Sequence, residues 1–487
     1  MSASSKTNIS VLLRIQGLLL LIEGIFMTAV LPVTYVHHGI NVYSMPFSAM
    51  ITVMTGFILV FSTRKQKGQR LNPREGVITI SLSWITLSVF GGLPFLLGKC
   101  VPNFTDAFFE ALSGFTTTGA TILTRIEAVP KDILLWRSMT QWLGGFAIIV
   151  FAVALLPFLS AGGMQLFVAE MNGINYDKLH PRTMHTAKRL WGLYLFFTLL
   201  EILLLHWGDM DWFDAVCHSM TTISSGGFST RTSSLASFSS YSQIVVTFFM
   251  SLSGCNFTLL LIALLRNPMA LLRNEEFKNF LVAILTFSVV LSLSLIFALK
   301  MNVSNALRAS FFSVVSSITT TGFFVSDYTL WPTGLWTLLL LLMFIGACSG
   351  STGGGIKIIR HLIFTKNAIL ELKRIIHPNA VIPVKINKKS ISKGIIFKTM
   401  TFVFVFFLIF LVGVIILLSM GIDFNTSVGA SIATLSNIGT GIGQVGPYGT
   451  YAFLPQTAKW VLAVFMLLGR VELFTLIIIF SRNFWRS

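Results

Sequence analysis

The stretch "FFEALSGFTTTGATIL", Phe108 to Leu123, decides the fold of this chain. It begins as an apolar run that suits a helix and then breaks into three threonines and a glycine. The pattern occurs four times in all, as "DAFFEALSGFTTTGA" from Asp106, "DAVCHSMTTISSGGF" from Asp214, "ASFFSVVSSITTTGF" from Ala309 and "TSVGASIATLSNIGT" from Thr426. A glycine stands thirteen positions after each start, at Gly119, Gly227, Gly322 and Gly439. Four ungapped matches indicate an internal repeat.

The composition is that of a membrane protein. Of the 487 residues, 54% are hydrophobic and 11% are charged, and the mean hydropathy is +0.80. Soluble domains are about 25% charged, so this chain cannot cover a water-facing surface. The net charge of +17 comes from basic residues in short connections between apolar stretches. The positive-inside rule explains that distribution, and no nucleic-acid partner is expected. The four cysteines show no CxxC spacing and predict neither a disulfide framework nor a zinc site.

Ten apolar stretches are long enough to cross about 30 Å of hydrocarbon. They lie at residues 11–36, 43–63, 77–97, 134–160, 188–207, 240–266, 278–300, 333–373 (interrupted), 395–420 and 456–482. Lys and Arg cluster in alternate connections, which predicts a multi-pass protein with both termini in the cytoplasm.

The predicted fold is an all-α polytopic membrane protein with four pseudo-symmetric span–pore-helix–span repeats around a central pore. Two extra transmembrane helices precede the repeats. The expected boundaries are 1–70 for the two N-terminal helices, then 71–165, 166–272, 273–378 and 379–487 for the repeats.

The four hydroxyl- and glycine-rich tracts predict a site for an alkali cation. Non-helical backbone at membrane depth is tolerated only inside protein or beside a water-filled cavity. Tracts that meet around one axis can form rings of carbonyl and hydroxyl oxygens, which replace the hydration shell of K⁺ or Na⁺. The expected filter residues are Thr117, Thr118, Gly119, Ser225, Gly226, Gly227, Thr320, Thr321, Gly322, Asn437, Ile438 and Gly439. The fourth tract departs most from the others, and Gly441 is a rival to Gly439 there. The alternative is a set of re-entrant hairpins used for packing alone.

A second anomaly is the segment "GACSGSTGGG", Gly346 to Gly355, inside an apolar stretch. Its five glycines (Gly346, Gly350, Gly353, Gly354 and Gly355) would cost a helix roughly 4–5 kcal/mol relative to alanine. We therefore expect an unwound loop beneath the filter, where it can obstruct ions. Arg470 lies deep in the last span, and carbonyl oxygens of this loop are its natural acceptors. The alternatives are a glycine-packed helix crossing for the loop and a surface-directed side chain for Arg470.

Charged groups elsewhere leave several interpretations open. Acids predicted at the outer mouth either concentrate cations or are ordinary solvated loop residues; they are Glu110, Asp209, Asp211, Asp214 and Asp423. Lys357 and Arg360 follow the glycine-rich loop and are expected to be charges of the inner mouth. The segment "QWLGGF", Gln141 to Phe146, is expected to pack against the pore helices without touching ions.

The motifs "SGFTTTGAT", "TTISSGGFST", "SSITTTGFF", "SNIGTGIG" and "GACSGSTGGGIK" resemble those of the TrkH/KtrB/HKT superfamily of potassium uptake proteins. The two extra N-terminal spans point to its TrkH branch, and the resemblance covers almost the whole chain. It implies a potassium-conducting subunit of the cell (inner) membrane, with K⁺ as the transported ion and no organic cofactor. Filter glycines map onto Gly119, Gly227, Gly322 and Gly439, and a glycine in the first tract resembles the K⁺-preferring members. The resemblance also implies a gate at residues 346–355 beside Arg470, a homodimer, and a cytoplasmic TrkA-like ring of nucleotide-binding regulatory proteins.

Two other classes of function compete with a cation pore. A Na⁺-coupled secondary transporter of an organic solute would also use re-entrant hairpins, but such folds use inverted repeats, whereas these four repeats run parallel. A membrane enzyme would need clustered His, Asp or Cys at depth, and the sequence has none, so no enzymatic activity is expected. The ratio of K⁺ to Na⁺ transport and any coupling to H⁺ or Na⁺ stay open from the sequence.

Overall fold

The computed structural model describes residues 8–37, 42–64, 72–154, 179–377, 379–380 and 382–486. Several basic residues behind the predicted topology lie outside these ranges, namely Lys65, Lys67, Arg70 and Lys178. The predicted boundary between the first two repeats, at residues 165 and 166, also lies outside them.

Two N-terminal helices, α1 (Ile9–His37) and α2 (Ser44–Ser62), form a closely packed pair. A Cβ built at Gly17 would lie 2.8 Å from the Leu59 Cβ, and one at Gly56 would lie 2.9 Å from the Gly17 carbonyl oxygen. Small residues allow this approach of the two backbones, as is common between membrane helices.

The helices that follow fall into four groups in the order of the predicted repeats. The first contains α3 (Pro73–Gly91), α4 (Leu93–Leu97), α5 (Phe104–Phe115) and α6 (Lys131–Ala154). The second contains α7 (Leu179–His206), α8 (Trp212–Ile223), α9 (Ser240–Ser253), α10 (Phe257–Leu265) and α11 (Met269–Arg273). The third contains α12 (Glu275–Leu299), α13 (Val303–Ile318), α14 (Thr333–Leu342) and α15 (Ile358–Ile376). The fourth contains α16 (Lys393–Ser419), α17 (Phe424–Leu435), α18 (Gln456–Arg470), α19 (Leu473–Ile477) and α20 (Arg482–Arg486). A short hairpin of β1 (Lys385–Ile386) and β2 (Lys389–Ser390) lies between α15 and α16.

Four short helices, α5, α8, α13 and α17, form the buried centre, and each begins at an Asn or Asp. The side chains of Asn103, Asp211, Asn302 and Asp423 accept hydrogen bonds from N–H groups in the first turns of these helices. Asx side chains at this position satisfy donors that the helix leaves unpaired. Two of the predicted mouth acids, Asp211 and Asp423, are thus helix caps. The third short helix has 16 residues against 12 in the others.

Among the described residues, six helices are long and apolar enough to span a membrane, and two bent pairs raise the number to eight. The prediction of continuous spans at 240–266 and 456–482 is wrong in this respect. The first bends by 100° between α9 and α10, and the second bends by 116° between α18 and α19. Asn256 caps a new helix at the first bend, and Glu472 has a positive φ of 59° at the second. The predicted stretch 333–373 is interrupted between α14 and α15, and residues 155–160 of the fourth stretch lie outside the described ranges.

Candidate functional site: four tracts around one ring

Each short central helix ends in the same backbone motif. In the first tract, the Thr118 N–H donates to the Ser113 carbonyl at 2.8 Å and the Thr117 N–H donates to the Gly114 carbonyl at 2.9 Å. These two bonds define a Schellman cap, whose residue at the turn adopts the left-handed conformation. Equivalent pairs of bonds end the other three helices, with donors Ser225 and Gly226, Thr320 and Thr321, and Asn437 and Ile438.

The cap and the predicted glycine create two left-handed residues in every tract. The values of φ are 51° and 83° at Thr117 and Gly119, 55° and 76° at Ser225 and Gly227, 57° and 80° at Thr320 and Gly322, and 55° and 84° at Asn437 and Gly439. Alternation of positive and negative φ turns successive carbonyl groups toward one side of the chain. Only glycine adopts such values without a steric cost.

The four tracts close into a ring, named here the filter ring (residues 117–119, 225–227, 320–322 and 437–439). Each filter glycine abuts a carbonyl of the next tract. A Cβ built at Gly119 would lie 2.3 Å from the Gly226 oxygen, and one built at Gly227 would lie 1.8 Å from the Thr321 oxygen. A Cβ built at Gly322 would lie 1.9 Å from the Ile438 oxygen, and one built at Gly439 would lie 2.4 Å from the Thr118 oxygen. The contacts run from the first tract to the second, third and fourth and back to the first. All twelve predicted filter residues are therefore brought to one place.

Side chains behind the ring hold its carbonyl groups. Gln141 donates to the Gly226 carbonyl at 2.6 Å and accepts from the Phe228 N–H at 3.0 Å. Tyr451 donates to the Gly439 carbonyl at 2.7 Å, and Asn437 donates to the Thr118 hydroxyl at 2.9 Å. Sequence reasoning treated Gln141 as packing and overlooked Tyr451, because an aromatic residue in a connection carries no signal of such a role.

The rival glycine of the fourth tract, Gly441, stands outside the ring. Its φ is not among the positive values, and its carbonyl accepts from the Tyr328 hydroxyl at 2.7 Å. The geometry favours Gly439 as the fourth glycine of the ring.

A cleft, named here the vestibule, opens over the ring and is bordered by all four filter glycines. The segments that follow the tracts form its walls, including Phe228, Phe324, Tyr448 and Tyr451.

Glu110 does not lie at the vestibule and is not solvated. It is fully buried behind the first tract, where it binds the Arg137 guanidinium at 2.7 Å and accepts from the Ile122 N–H at 2.7 Å. Arg137 donates in turn to the Ser229 carbonyl at 3.0 Å. Both interpretations of Glu110 as a mouth acid are wrong, because the side chain is buried away from solvent. Arg137 is the partner that a buried carboxylate needs.

The glycine-rich segment is an unwound loop, named here the gate loop (residues 346–355). Gly346 donates to the Ile356 carbonyl at 2.8 Å, so the loop closes on itself, and a positive φ occurs at both Gly350 and Gly355. The Gly350 carbonyl accepts from the Phe257 N–H at 3.2 Å, at the bend of the second group.

The gate loop lies directly against the filter ring. The Gly354 N–H donates to the Thr320 hydroxyl at 2.6 Å, and the hydroxyls of Thr352 and Ser225 are 2.7 Å apart. A Cβ built at Gly353 would lie 2.7 Å from the Thr319 carbonyl oxygen. A Cβ built at Gly354 would lie 2.3 Å from the Ser436 carbonyl oxygen, so the loop contacts the second, third and fourth tracts at the ends of their helices.

Arg470 binds the gate loop, as its position predicts. It is buried and donates to the Thr352 carbonyl at 2.8 Å and to the Gly144 carbonyl of α6 at 2.9 Å. One guanidinium thus joins the loop of the third group to helices of the first and fourth.

Two neighbouring cations differ from their prediction as charges of an inner mouth. Arg360 is buried, pairs with Glu472 at 2.7 Å and lies over the Phe402 ring at 3.8 Å. Lys357 folds back and donates to the Gly353 carbonyl, so it is part of the gate loop contacts. Both bind locally because charge at this depth needs partners.

The fold and the site together define a polytopic membrane protein in which four backbone tracts close into one ring of carbonyl groups. Comparisons with known proteins agree with that class. The family model for TrkH, a cation transport protein, matches residues 46–487. The chain therefore belongs to the TrkH family.

Characterised relatives match over nearly the full length. The Trk system potassium uptake protein TrkH of Salmonella typhimurium is 41% identical over 443 residues, covering 90% of this chain and 91% of that protein. TrkH of Halomonas elongata is 38% identical over 484 residues, covering 99% and 100%. The crystal structure of the potassium transporter TrkH from Vibrio parahaemolyticus superposes with a TM-score of 0.90 at 34% identity, covering 98% of this chain and 100% of that one.

Proposed function

We propose that this chain is the K⁺-conducting membrane subunit of a potassium uptake system. The closed cycle of contacts between the four filter glycines and the carbonyls of the neighbouring tracts carries the proposal. Uncharged oxygens in such a ring suit a monovalent alkali cation better than a transition metal. The names of the relatives support K⁺ as the transported ion, with Rb⁺ and Na⁺ as further candidates.

The twelve filter residues supply the oxygens, and the gate loop controls the passage beneath them. The loop carries hydrogen bonds to the tracts on one side and to Arg470 on the other. Release of the Thr352 carbonyl by Arg470 frees the loop from α6 and α18 together. We propose that this release opens the pathway.

Regulation is proposed to come from outside the chain. A cytoplasmic TrkA-like ring of nucleotide-binding proteins would move the gate loop, and the "Trk system" in the names of the relatives supports a multi-component assembly. Basic segments near Lys188 and at 373–393 are candidate docking surfaces. We further propose a homodimer in the inner membrane, cytoplasmic termini, and four repeats with the boundaries 71–165, 166–272, 273–378 and 379–487.

The test is Rb⁺ uptake by the purified chain in liposomes, with and without competing Na⁺. We expect saturable Rb⁺ flux, and we expect Gly119→Ser to weaken the preference for K⁺ over Na⁺ because the added side chain meets the Gly226 carbonyl. The control is Gly421→Ala, at a glycine with a similar φ of 82° and no neighbour within 4 Å. Unchanged ion preference in Gly119→Ser would contradict the filter assignment. Transport of an organic solute without Rb⁺ flux would instead favour a Na⁺-coupled secondary transporter.

A further inference from the structure

The vestibule over the filter ring has an unexpected charge for the entrance of a cation pathway. Among the described residues that border it, none is an aspartate or a glutamate, and two are arginines, Arg137 and Arg231. The side chain of Arg137 is 2% exposed and its charge is compensated by the buried Glu110. The side chain of Arg231 is 47% exposed, so it is the cation that solvent and ions meet.

Arg231 is held at this position by its own contacts. Its guanidinium binds the Asp214 carboxylate at 2.8 Å and lies 5.9 Å from the centre of the Phe238 ring. Its backbone N–H donates to the Ser229 hydroxyl at 3.0 Å. It stands four residues after Gly227, in the segment that leaves the second tract.

Asp214 pairs with Arg231 from the buried side, and the acids near Arg231 all bind other groups as well. The Asp214 side chain is only 6% exposed and also accepts from the Thr230 hydroxyl at 2.6 Å. Asp211 caps α8, and Glu127 accepts from the Thr232 N–H at 2.7 Å. None of the three borders the vestibule.

We propose that Arg231 discriminates against divalent cations at the vestibule, so that monovalent cations reach the filter ring with little competition. This inference rests on the proposed function, since it assigns a specificity role at the entrance to the same pathway. The electrostatic energy of an ion near a fixed charge is proportional to the valence of the ion. If removal of the charge enriches a monovalent cation by a given factor, it enriches a divalent cation by about the square of that factor. The low-dielectric walls of a cleft focus such potentials along it, toward the ring.

The experiment measures Rb⁺ uptake in liposomes and its inhibition by Mg²⁺ and Ca²⁺. For Arg231→Gln we expect about a twofold to threefold lower half-saturating Rb⁺ concentration and about a fourfold to ninefold lower inhibitory concentration of the divalent ions. Arg231→Lys keeps the charge and should match the original chain. Arg125→Gln removes an exposed arginine of the segment that follows the first tract. Arg125 does not border the vestibule, so this variant should change neither value.

A second variant tests the same charge from its partner. Asp214→Asn keeps an acceptor for Thr230 but leaves Arg231 uncompensated, so divalent inhibition should become weaker than in the original chain. The inference is overturned if Arg231→Gln behaves like Arg125→Gln, or if its monovalent and divalent effects are equal. Absence of Rb⁺ flux in the original chain would refute the proposed function instead, and the two failures are therefore distinguishable.

Discussion

The four tracts at the ends of the central helices are alike in structure, whereas the four spans that follow them are not. On one side, four tracts repeat the same Schellman cap, the same pair of positive φ values and the same contact with the next tract. On the other side, the four following spans all differ: α6 continues as a helix to Ala154, two others bend by 100° and 116°, and one is unwound over 346–355. A ring of equivalent oxygens requires equal backbones, whereas a single obstructing loop can enter from one group only. Under the proposed function, the symmetric part of the molecule would bind the ion and the asymmetric part would control its passage.

The largest expected effect comes from breaking the equal backbones. Alanine at Gly227 or Gly322 places a Cβ 1.8 or 1.9 Å from a carbonyl oxygen, against 2.3 and 2.4 Å at Gly119 and Gly439. We expect a loss of Rb⁺ flux of 100-fold or so for the first pair and a smaller loss for the second, because a positive φ adds only about 1–2 kcal/mol by itself. Measurement of Rb⁺ flux in liposomes for the four variants checks this ranking of the losses.

Gly421→Ala isolates the cost of the backbone conformation, since its φ is 82° and its surroundings are open. Equal losses at all four filter glycines, or a comparable loss at Gly421, would show that close contact between tracts is not what matters.

An intermediate effect is expected on the asymmetric side. Arg470→Gln removes charged donors to the Thr352 and Gly144 carbonyls, and each such hydrogen bond contributes about 1.5–3 kcal/mol. The gate loop should open more often, and basal Rb⁺ flux without any regulator should rise about tenfold or more. Arg470→Lys keeps the charge and should rise less. A flux that stays at the original level, in protein that elutes as a single folded species, would remove Arg470 from the gate.

The smallest effect is expected at the hydrogen bonds between Glu127 of the first group and Thr232 of the second, named here the clasp. Glu127 accepts from the Thr232 N–H at 2.7 Å and from its hydroxyl at 2.6 Å. Partial desolvation raises the pKa of Glu127, but these hydrogen bonds and Arg231 outweigh it, so the pKa lies below its usual value. The ionised form therefore stabilises the fold above the unfolded pKa, and this contribution is lost as the pH falls through the lowered folded pKa.

Thermal unfolding in detergent at pH 7 and near pH 3 measures this contribution. Glu127→Gln should lower the free energy of unfolding at pH 7 by less than about 1 kcal/mol, because the group is exposed, and should have a smaller effect near pH 3. Thr232→Ser retains the hydroxyl and serves as the control. A pH-independent difference would mean that the clasp acts through packing.

The ring of four tracts could be predicted from the sequence, because four glycines at one spacing support one another as evidence in a way that a single tract does not. The gate loop was accessible for a similar reason, since five glycines in ten residues are incompatible with a stable helix. The four tracts meet at one ring, as the repeat predicts, and Arg470 contacts the loop, as its depth in the last span predicts.

Other features had no local signal. Left-handed Thr117 and Thr320 oppose the preference of β-branched residues, and only the Schellman cap and the neighbouring tracts impose that conformation. Glu472 at the second bend is likewise an ordinary residue in an apolar run. Glu110 and Arg360 were predicted at the pore mouths, but both are buried in ion pairs. Pairing between distant segments leaves no signal in the sequence pattern.

The closure of the ring within one polypeptide has a consequence for how the protein can change over time. In an assembly of four identical subunits, each mutation is copied to every quadrant at once. Here a codon change alters one quadrant and leaves three untouched. Asn437 and Ile438 can therefore differ from the threonine pairs of the first and third tracts while the backbone geometry of the ring is kept. Substitutions can therefore change the ring one tract at a time.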